Sequence, residues 1–284
     1  MNEECLIISK VKDALIQASS SFRPDKKEAY KNALKNEKND SARWVLENLI
    51  RNSLAAEKNY SPLCDDTGVP HLFLEFGGKR KITVELIELI NIGVAEGLRA
   101  LPGRPMALNG NDIERLEQSG GLNEDPGVLI PAPLIIKPVQ EDIIRLHILL
   151  QGGGPEIRGK TDRVFHKKSY YEIIDQVVNW IIEEAGKLGC TPCTPAIGIG
   201  RSHYEATVLM IEAMVQGNFS IQSEVEKEIT RRVNDSNIGP LGMGGNTTAL
   251  ATFLKVGPQR ASGVRIVCYR LCCCMEPRIV SVLL

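Results

Sequence analysis

The sequence predicts a mixed α/β fold of the α+β kind, with a mainly helical section over residues 1–60 followed by a mixed sheet with flanking helices. Apolar residues recur at helical spacing through the first sixty residues. Beyond them, short apolar runs alternate with amphipathic segments, separated by glycine and proline turns. Because the chain carries no internal repeat, low-complexity tract or flexible linker, we expect a single domain over residues 1–284, although this length also suits two modest domains.

The N-terminal section contains two helix patterns. The run EECLIISKVKDALIQASS has apolar residues at helical spacing, and DSARWVLENLIRNSLAAEKN begins with the capping signal Asp40–Ser41. The pattern then changes, since HLFLEF predicts a strand and ITVELIELINIGVAEGLRAL a helix. Residues 101–126 are rich in Gly, Pro and Asn, which predicts an ordered loop.

The second half alternates between strand and helix patterns. VLIPAPLIIKPV and DIIRLHILLQGGG predict strands, and SYYEIIDQVVNWIIEEAGKLG predicts an amphipathic helix that ends at a glycine. PAIGIGR predicts a buried strand, followed by helices to about residue 235. We expect the glycine turn NIGPLGMGGNTTAL to lead into another short helix, and the β-branched run GVRIVCYRLCCCMEPRIVSVLL to form strand.

Charge and hydropathy narrow the function classes. A formal net charge of −1 argues against a polyanionic partner such as nucleic acid. The sequence has no run of about 18 apolar residues that would predict a membrane span, and its charged N-terminus lacks the apolar core of a signal peptide. We therefore expect a cytoplasmic protein that binds neither membrane nor nucleic acid.

Cysteines are numerous in this chain. The eight are Cys5, Cys64, Cys190, Cys193, Cys268, Cys272, Cys273 and Cys274. Cys64, Cys193 and one of the 272–274 run stand beside turns or in the terminal strand, and their wide spacing suits an iron–sulfur cluster better than zinc, which takes close CxxC pairs. Two alternatives stay open: these are buried core cysteines, or Cys190–Thr–Pro–Cys193 is a redox motif.

Polar residues beside these cysteines suit acid–base and carboxylate chemistry. Asp65 and Asp66 follow Cys64, where a carboxylate near a metal would transfer a proton or would simply bond to the local turn. The glycine turns LLQGGGPE and NIGPLGMGGNTT present backbone N–H groups to an anion or are tight turns only. Arg99 and Arg104 suit a carboxylate clamp or are solvated.

Four ordered motifs carry a resemblance to a known family. CDDTGVP, QGGGPE, CTPAIGIGR and NIGPLGMGGNTTAL, with a cysteine near the C-terminus, resemble the forms CxDTG, KGGGSE, CPPxxxGxGxGG and IGPMGLGGKTTAL. These forms are typical of the α subunit of iron–sulfur, class I type fumarate hydratases and L-tartrate dehydratases. The resemblance covers about residues 40–276 and implies the class I fumarase α-type fold. It also implies a hydro-lyase that reversibly dehydrates a small hydroxy-dicarboxylate of the fumarate/malate or tartrate type.

The same resemblance implies the site residues. It implies a [4Fe–4S] cluster held by Cys64, Cys193 and, by ungapped counting, Cys272, with Cys273 and Cys274 as alternates. It implies acid–base chemistry at Asp66. The residues expected to bind the dicarboxylate substrate are Asp65, Arg99, Arg260, Gly153 and Gly154. Because no β-type segment follows the last strand, we expect a separate β-type subunit and a hetero-oligomer with two-fold symmetry.

Departures from the family forms leave the substrate open. Asp65 replaces the usual glutamine, Gln151 and Pro155 alter the KGGGS pattern, Asn246 replaces a lysine, and Arg260 stands where a histidine is common. These departures motivate an alternative, a non-catalytic cluster-bearing sensor or binding subunit. A redox or zinc protein that uses Cys190, Cys193 and the cysteine triplet is a third hypothesis.

Overall fold

A computed structural model describes residues 2–101, 103–165, 169–261 and 263–284. The chain divides into two compact units. The first unit comprises the residues up to 21, 53–152 and 278–284, and the second comprises 22–52 and 153–277. Helices flank a mixed sheet in each, so the predicted mixed α/β fold is confirmed. The single domain over residues 1–284 stays a prediction.

The first unit is built on a sheet with the strand order β2–β1–β3–β8. These strands are β1 (Val69–Gly77), β2 (Ile135–Val139), β3 (Ile144–Gln151) and β8 (Arg278–Leu283). β1 is parallel to β2 and antiparallel to β3, which is antiparallel to β8. The last residue of β3 and the first of β8 therefore lie at the same end of the sheet, next to the start of β1.

Helices α1 (Glu3–Ser20) and α4 (Val84–Ala100) cover this sheet. Asn2 caps α1 by accepting from the Glu4 N–H, and Thr83 caps α4. Their apolar stripes share a core with the β1 and β3 strands. The two helices approach closely at Gly93, where an added Cβ would lie only 2.7 Å from the Cβ of Val11.

The second unit is built on a sheet with the strand order β4–β7–β5–β6. These strands are β4 (Lys160–Phe165), β5 (Thr194–Gly200), β6 (Phe253–Val256) and β7 (Val264–Cys272). β5 is parallel to β6 and antiparallel to β7. The helices of this unit are α2 (Pro24–Asn36), most of α3 (Asp40–Asn59), α6 (Gly153–Glu156), α7 (Tyr170–Leu188), α8 (His203–Gln216) and α9 (Glu224–Asn234).

The helices of the second unit pack on both faces of β5. Ile197 and Ile199 join a core with the apolar residues of α7 and α9. Gly198 faces the other way and lies so close to α8 that an added Cβ would be 2.1 Å from the Ala206 carbonyl oxygen. Both faces of β5 are thus covered, which explains why the whole strand PAIGIG is buried.

Most predicted elements are confirmed, and four details differ. The helix expected after NIGPLGMGGNTTAL is wrong, since Phe253–Val256 forms β6 and pairs with β5. Strand β4 was not predicted, because most of its side chains are exposed and its sequence lacks apolar alternation. The short helix α5 (Asp112–Glu117), capped by Asn111, forms inside the predicted 101–126 loop. The terminal run forms two strands, β7 and β8, joined by the turn 273–277.

Candidate functional site

In the first unit, the turn that carries Cys64 leads directly into β1. Cys64 is half-buried, and its Sγ donates to Asp65 Oδ1 at 3.4 Å. Arg278, the first residue of β8, is 3% exposed and donates from Nη1 to the Asp66 carbonyl oxygen at 2.6 Å. A buried cation therefore fixes the backbone of the residue expected to act in acid–base chemistry.

Glycine at position 68 is required by this arrangement. Gly68 has a φ of +85°, which favours glycine. A Cβ there would lie 2.6 Å from Nη2 of Arg278 and 3.0 Å from the backbone of Gln151. The short turn between Asp66 and β1 thus allows the Arg278 guanidinium to lie against the main chain.

Two more buried polar side chains belong to this end of the sheet. Gln151 ends β3 opposite Val69, and Thr67 precedes Gly68. The Gln151 Nε2 and Thr67 Oγ1 atoms are buried and have no hydrogen-bond partner among the described residues. Together with the Arg278 guanidinium, these two groups can donate hydrogen bonds to a carboxylate.

Arg99 lies at the end of α4, where it is bound to an acid. Its Nε and Nη2 donate to the Asp125 carboxylate at 2.9 and 2.8 Å. This hydrogen bond raises the pKa of Arg99, and the Arg99 partner lowers the pKa of Asp125. Both side chains are substantially exposed. The predicted substrate arginine therefore already holds a carboxylate of its own chain.

In the second unit, the predicted metal ligands Cys193 and Cys272 lie on adjacent strands. Cys193 directly precedes β5, is fully buried, and donates its N–H to the Thr248 carbonyl at 2.8 Å. Burial raises the pKa of its thiol to about 12, with a contribution from Cys273. Cys272 ends β7, and its Sγ contacts the Met214 sulfur of α8 at 3.4 Å.

The cysteine triplet enters a turn that is held from several sides. The Cys274 N–H donates to the Cys190 carbonyl at 2.8 Å. Tyr30 and Lys26, both fully buried on α2, donate to the carbonyls of Cys274 and Glu276, each at 2.7 Å. α2 therefore fixes the turn that follows β7.

The thiols of this turn interact with one another. The pKa of Cys273 is lowered, chiefly by a hydrogen bond with Cys274. The pKa of Cys274 is raised well above its usual value, first by a hydrogen bond with Cys190 and then by one with Cys273. Because Thr194 pairs with Cys272, Cys193 and Cys273 lie at the same end of the β5–β7 pair, whereas the Cys272 sulfur contacts Met214.

The remaining predicted site residues lie on short elements of the second unit. Gly153 and Gly154 begin α6, and a Cβ added to either would meet no atom within 4 Å. Arg260 is exposed in the connection between β6 and β7. In the glycine turn after residue 237, the Asn246 N–H donates to the buried Glu37 carboxylate at 2.7 Å, so an anion of this chain already occupies that amide.

Sequence reasoning missed Arg278, Lys26 and Tyr30. No motif marks them, and their roles depend on long-range contacts, although a lysine and a tyrosine four residues apart on a helix do share a face. No cluster of three or more His, Cys, Asp or Glu side chains within the described ranges could hold a metal ion. Cys193 and Cys273 stand at the same end of the β5–β7 pair, and cysteine is the residue type that supplies thiolate ligands. No helix in the described ranges has the length and apolar character needed to span a membrane.

Comparison with known proteins gives a consistent family. The fumarate hydratase (Fumerase) family model matches residues 8–282. A putative L(+)-tartrate dehydratase subunit alpha of Methanocaldococcus jannaschii is 30% identical over 280 residues, which covers 92% of this chain and 94% of that protein. The L(+)-tartrate dehydratase subunit alpha of Escherichia coli K12 is 24% identical over 213 residues, covering 72% of this chain and 67% of that protein. The chain therefore belongs to the fumarate hydratase family and is a hydro-lyase enzyme.

Proposed function

We propose that this chain is the catalytic α subunit of a [4Fe–4S]-dependent hydro-lyase that reversibly dehydrates a small hydroxy-dicarboxylate of the malate or tartrate type. The family match over residues 8–282 supports the reaction class. The observation that carries the cluster is the pairing of Thr194 with Cys272, because it brings Cys193 and Cys273, the next residue on each chain segment, to the same end of the β5–β7 pair. The relatives are named alpha subunits, which supports a separate β-type partner. The two-fold symmetry of the assembly is part of the proposal.

The proposed ligands are Cys64, Cys193 and one cysteine of the triplet. Ungapped counting favours Cys272, but its sulfur lies against Met214 on the α8 side. Cys273 lies just beyond the Thr194–Cys272 pair, at the end of the strands where Cys193 stands, so the pairing of β5 with β7 favours Cys273 as the third ligand. A cluster held by three thiolates supplies one open iron, a Lewis acid for the substrate hydroxyl group.

Dehydration requires a base that removes the proton from the carbon next to a substrate carboxylate, and we propose Asp66 as this base. Its backbone is fixed through Arg278, which restricts where the carboxylate can lie. Asp65 lies in the same turn and is exposed. As the proton leaves, negative charge develops on the substrate carboxylate, and nearby cations and N–H donors stabilise it. Arg99, Arg260, Gly153 and Gly154 are the proposed substrate contacts.

Anaerobic reconstitution with iron and sulfide tests the cluster. We expect near-stoichiometric iron and sulfide in the wild type, and loss of both in Cys64→Ser, Cys193→Ser and Cys273→Ser. Cys272→Ser and the exposed Cys5→Ser should retain them. Cluster loss in Cys272→Ser together with retention in Cys273→Ser would return the third ligand to the counted position. Adventitious iron without sulfide in the wild type would refute the cluster.

Turnover tests the hydro-lyase function itself. The chain co-purified with a β-type subunit should interconvert fumarate and malate, or dehydrate tartrate, under anaerobic conditions, and Asp66→Asn should abolish turnover without losing iron. A second candidate is the non-catalytic cluster-bearing sensor or binding subunit, which the occupation of Arg99 by Asp125 favours. That candidate predicts an intact cluster and no turnover of any hydroxy-dicarboxylate, even with the β-type subunit present.

A further inference from the structure

Cys190 and Cys274 face each other in the second unit. The Cys274 N–H donates to the Cys190 carbonyl at 2.8 Å, a backbone contact compatible with the Cα separation of about 4.4–6.8 Å that a disulfide needs. The two thiols are also hydrogen-bonded to each other. Both backbone and side-chain contacts therefore align the sulfur atoms, although the two residues are 84 positions apart in the sequence (274 − 190).

The neighbouring cysteines are less suitable partners for Cys190. The sequence suggests Cys193, but its backbone is tied on both sides, with its N–H bonded to Thr248 and its carbonyl accepting from Leu250. Cys193 is also fully buried in the core with α7. Thr191, between the two cysteines, is fixed as well, since its Oγ1 donates to the Gly239 carbonyl at 2.6 Å.

The other side of the pair is equally well fixed. Tyr30 holds the Cys274 carbonyl, and the Cys273 carbonyl accepts from the Glu276 N–H at 2.9 Å. The Cys273 and Cys274 thiols are hydrogen-bonded to each other, but a disulfide between adjacent residues would be strained. Cys190, whose thiol is also hydrogen-bonded to that of Cys274, is therefore the less strained partner.

The two thiols differ in solvent exposure, and this difference sets the order of the two oxidation steps. Cys190 is exposed, whereas Cys274 is 6% exposed. An oxidant in solution reaches Cys190 first, and Cys274 is then positioned to attack the oxidised sulfur.

We propose that Cys190 and Cys274 form a reversible disulfide when the chain meets a peroxide. In the first step the Cys190 sulfur attacks hydrogen peroxide, the O–O bond breaks, and a sulfenic acid and one water form. The Cys274 sulfur then attacks the Cys190 sulfur, the S–O bond breaks, and a second water leaves with the Cys274 proton. Two thiols are oxidised by two electrons in total and one peroxide is reduced to two waters. This site does not depend on the proposed hydro-lyase chemistry.

Peptide mapping of the full chain tests the proposal. The reduced, cluster-free chain is treated with one equivalent of hydrogen peroxide, alkylated and digested. We expect the major new species to be a peptide pair joined through Cys190 and Cys274, lighter than the reduced pair by two hydrogen atoms and restored by dithiothreitol. Cys190→Ser should abolish this species, and Cys5→Ser, which removes the other exposed thiol, should leave it unchanged.

A conservative variant keeps the test independent of folding. Cys274→Ser should likewise abolish the joined peptide pair. If this variant is poorly folded, Cys274→Ala and circular dichroism of both variants decide whether the turn survives, while Cys190→Ser alone still reports on the bridge. A major Cys190–Cys193 or Cys273–Cys274 bridge would overturn the assignment. So would peroxide treatment that leaves Cys190 as a sulfinic acid, or reduced, in a folded wild-type chain.

Discussion

Arg270 provides the sharpest test of how the second unit is held together. It is 2% exposed in β7, and its Nη2 donates to both carboxylate oxygens of Glu276, at 3.2 and 3.1 Å. Its Nη1 also contacts Glu156, which is 68% exposed. Replacing Arg270 by methionine keeps the apolar stem of the side chain and removes the charge. Glu276, itself 2% exposed in this pair, would then be left as a buried anion.

The expected cost follows from burial. Removing one partner of a buried ion pair costs about 3–5 kcal/mol, because the remaining charge is uncompensated. The exposed pair with Glu156 adds little, since such pairs contribute about 0–1 kcal/mol. Lys26 is fully buried and donates to the Glu276 backbone, so it offsets part of the penalty. We therefore expect Arg270→Met to lower the free energy of unfolding by about 3 kcal/mol, the low end of that range.

Urea unfolding followed by circular dichroism measures this cost. The matched control is Arg231→Met, because Arg231 is 60% exposed and pairs with two exposed carboxylates, so its loss should cost under about 1 kcal/mol. The double variant Arg270→Met/Glu276→Gln should recover much of the loss, since no unpaired charge remains buried. If Arg270→Met unfolds at the same urea concentration as Arg231→Met, the buried pair does not stabilise the turn and the reasoning is wrong.

Two further predictions concern the first unit. Gly68→Ala should lower the free energy of unfolding by about 1–3 kcal/mol more than Gly121→Ala does. Both glycines have positive φ, but only a Cβ at position 68 would meet Arg278 and Gln151. Equal thermal unfolding midpoints for the two variants would contradict this. Burial lowers the pKa of His147 below its usual 6.5, despite the opposing effect of Glu75. The unfolded chain then binds the proton first as pH falls, so stability should decrease below about pH 6.5 and level off below the folded pKa. Denaturant titrations across this pH range should show a smaller loss of unfolding free energy for His147→Gln than for the wild type. An equal loss in the two proteins would mean that other groups cause the pH dependence.

Local patterns were sufficient to predict elements whose own residues decide their structure. α7 has an apolar stripe and a terminal Gly189 with a φ of 75°, and β5 is an uninterrupted buried run. β4 and β6 escaped prediction for different reasons. β4 is a polar strand that exists through its pairing with β7, and β6 has four residues that a helix pattern covers equally well. In both cases the deciding contacts are made with strands far away in the sequence.

The residues of the candidate site also fall into two groups, those recognisable from the local sequence and those positioned by long-range contacts. The turn from Cys64 to Gly68 was recognisable because its residue types lie together in the sequence. Arg278 was not, since only the β3–β8 pairing brings it to that turn. The sequence left open whether the glycine turn near Asn246 binds an anion or is a tight turn only, and the anion found there is Glu37, more than two hundred residues earlier in the chain.

The cysteine triplet shows why counting along a motif and reading a fold give different answers. Alternation along β7 places the Cys272 sulfur on the α8 side, against Met214, because successive side chains of a strand point to opposite faces. At Cys273 the strand ends, and the turn held by Tyr30 and Lys26 begins. The residues of this turn have other neighbours: Cys273 leaves the β5–β7 pair at the end where Cys193 stands, and the Cys274 thiol is hydrogen-bonded to that of Cys190. Three consecutive thiols thus meet three different surroundings, and this difference supports one proposed ligand, one proposed disulfide partner and one core residue.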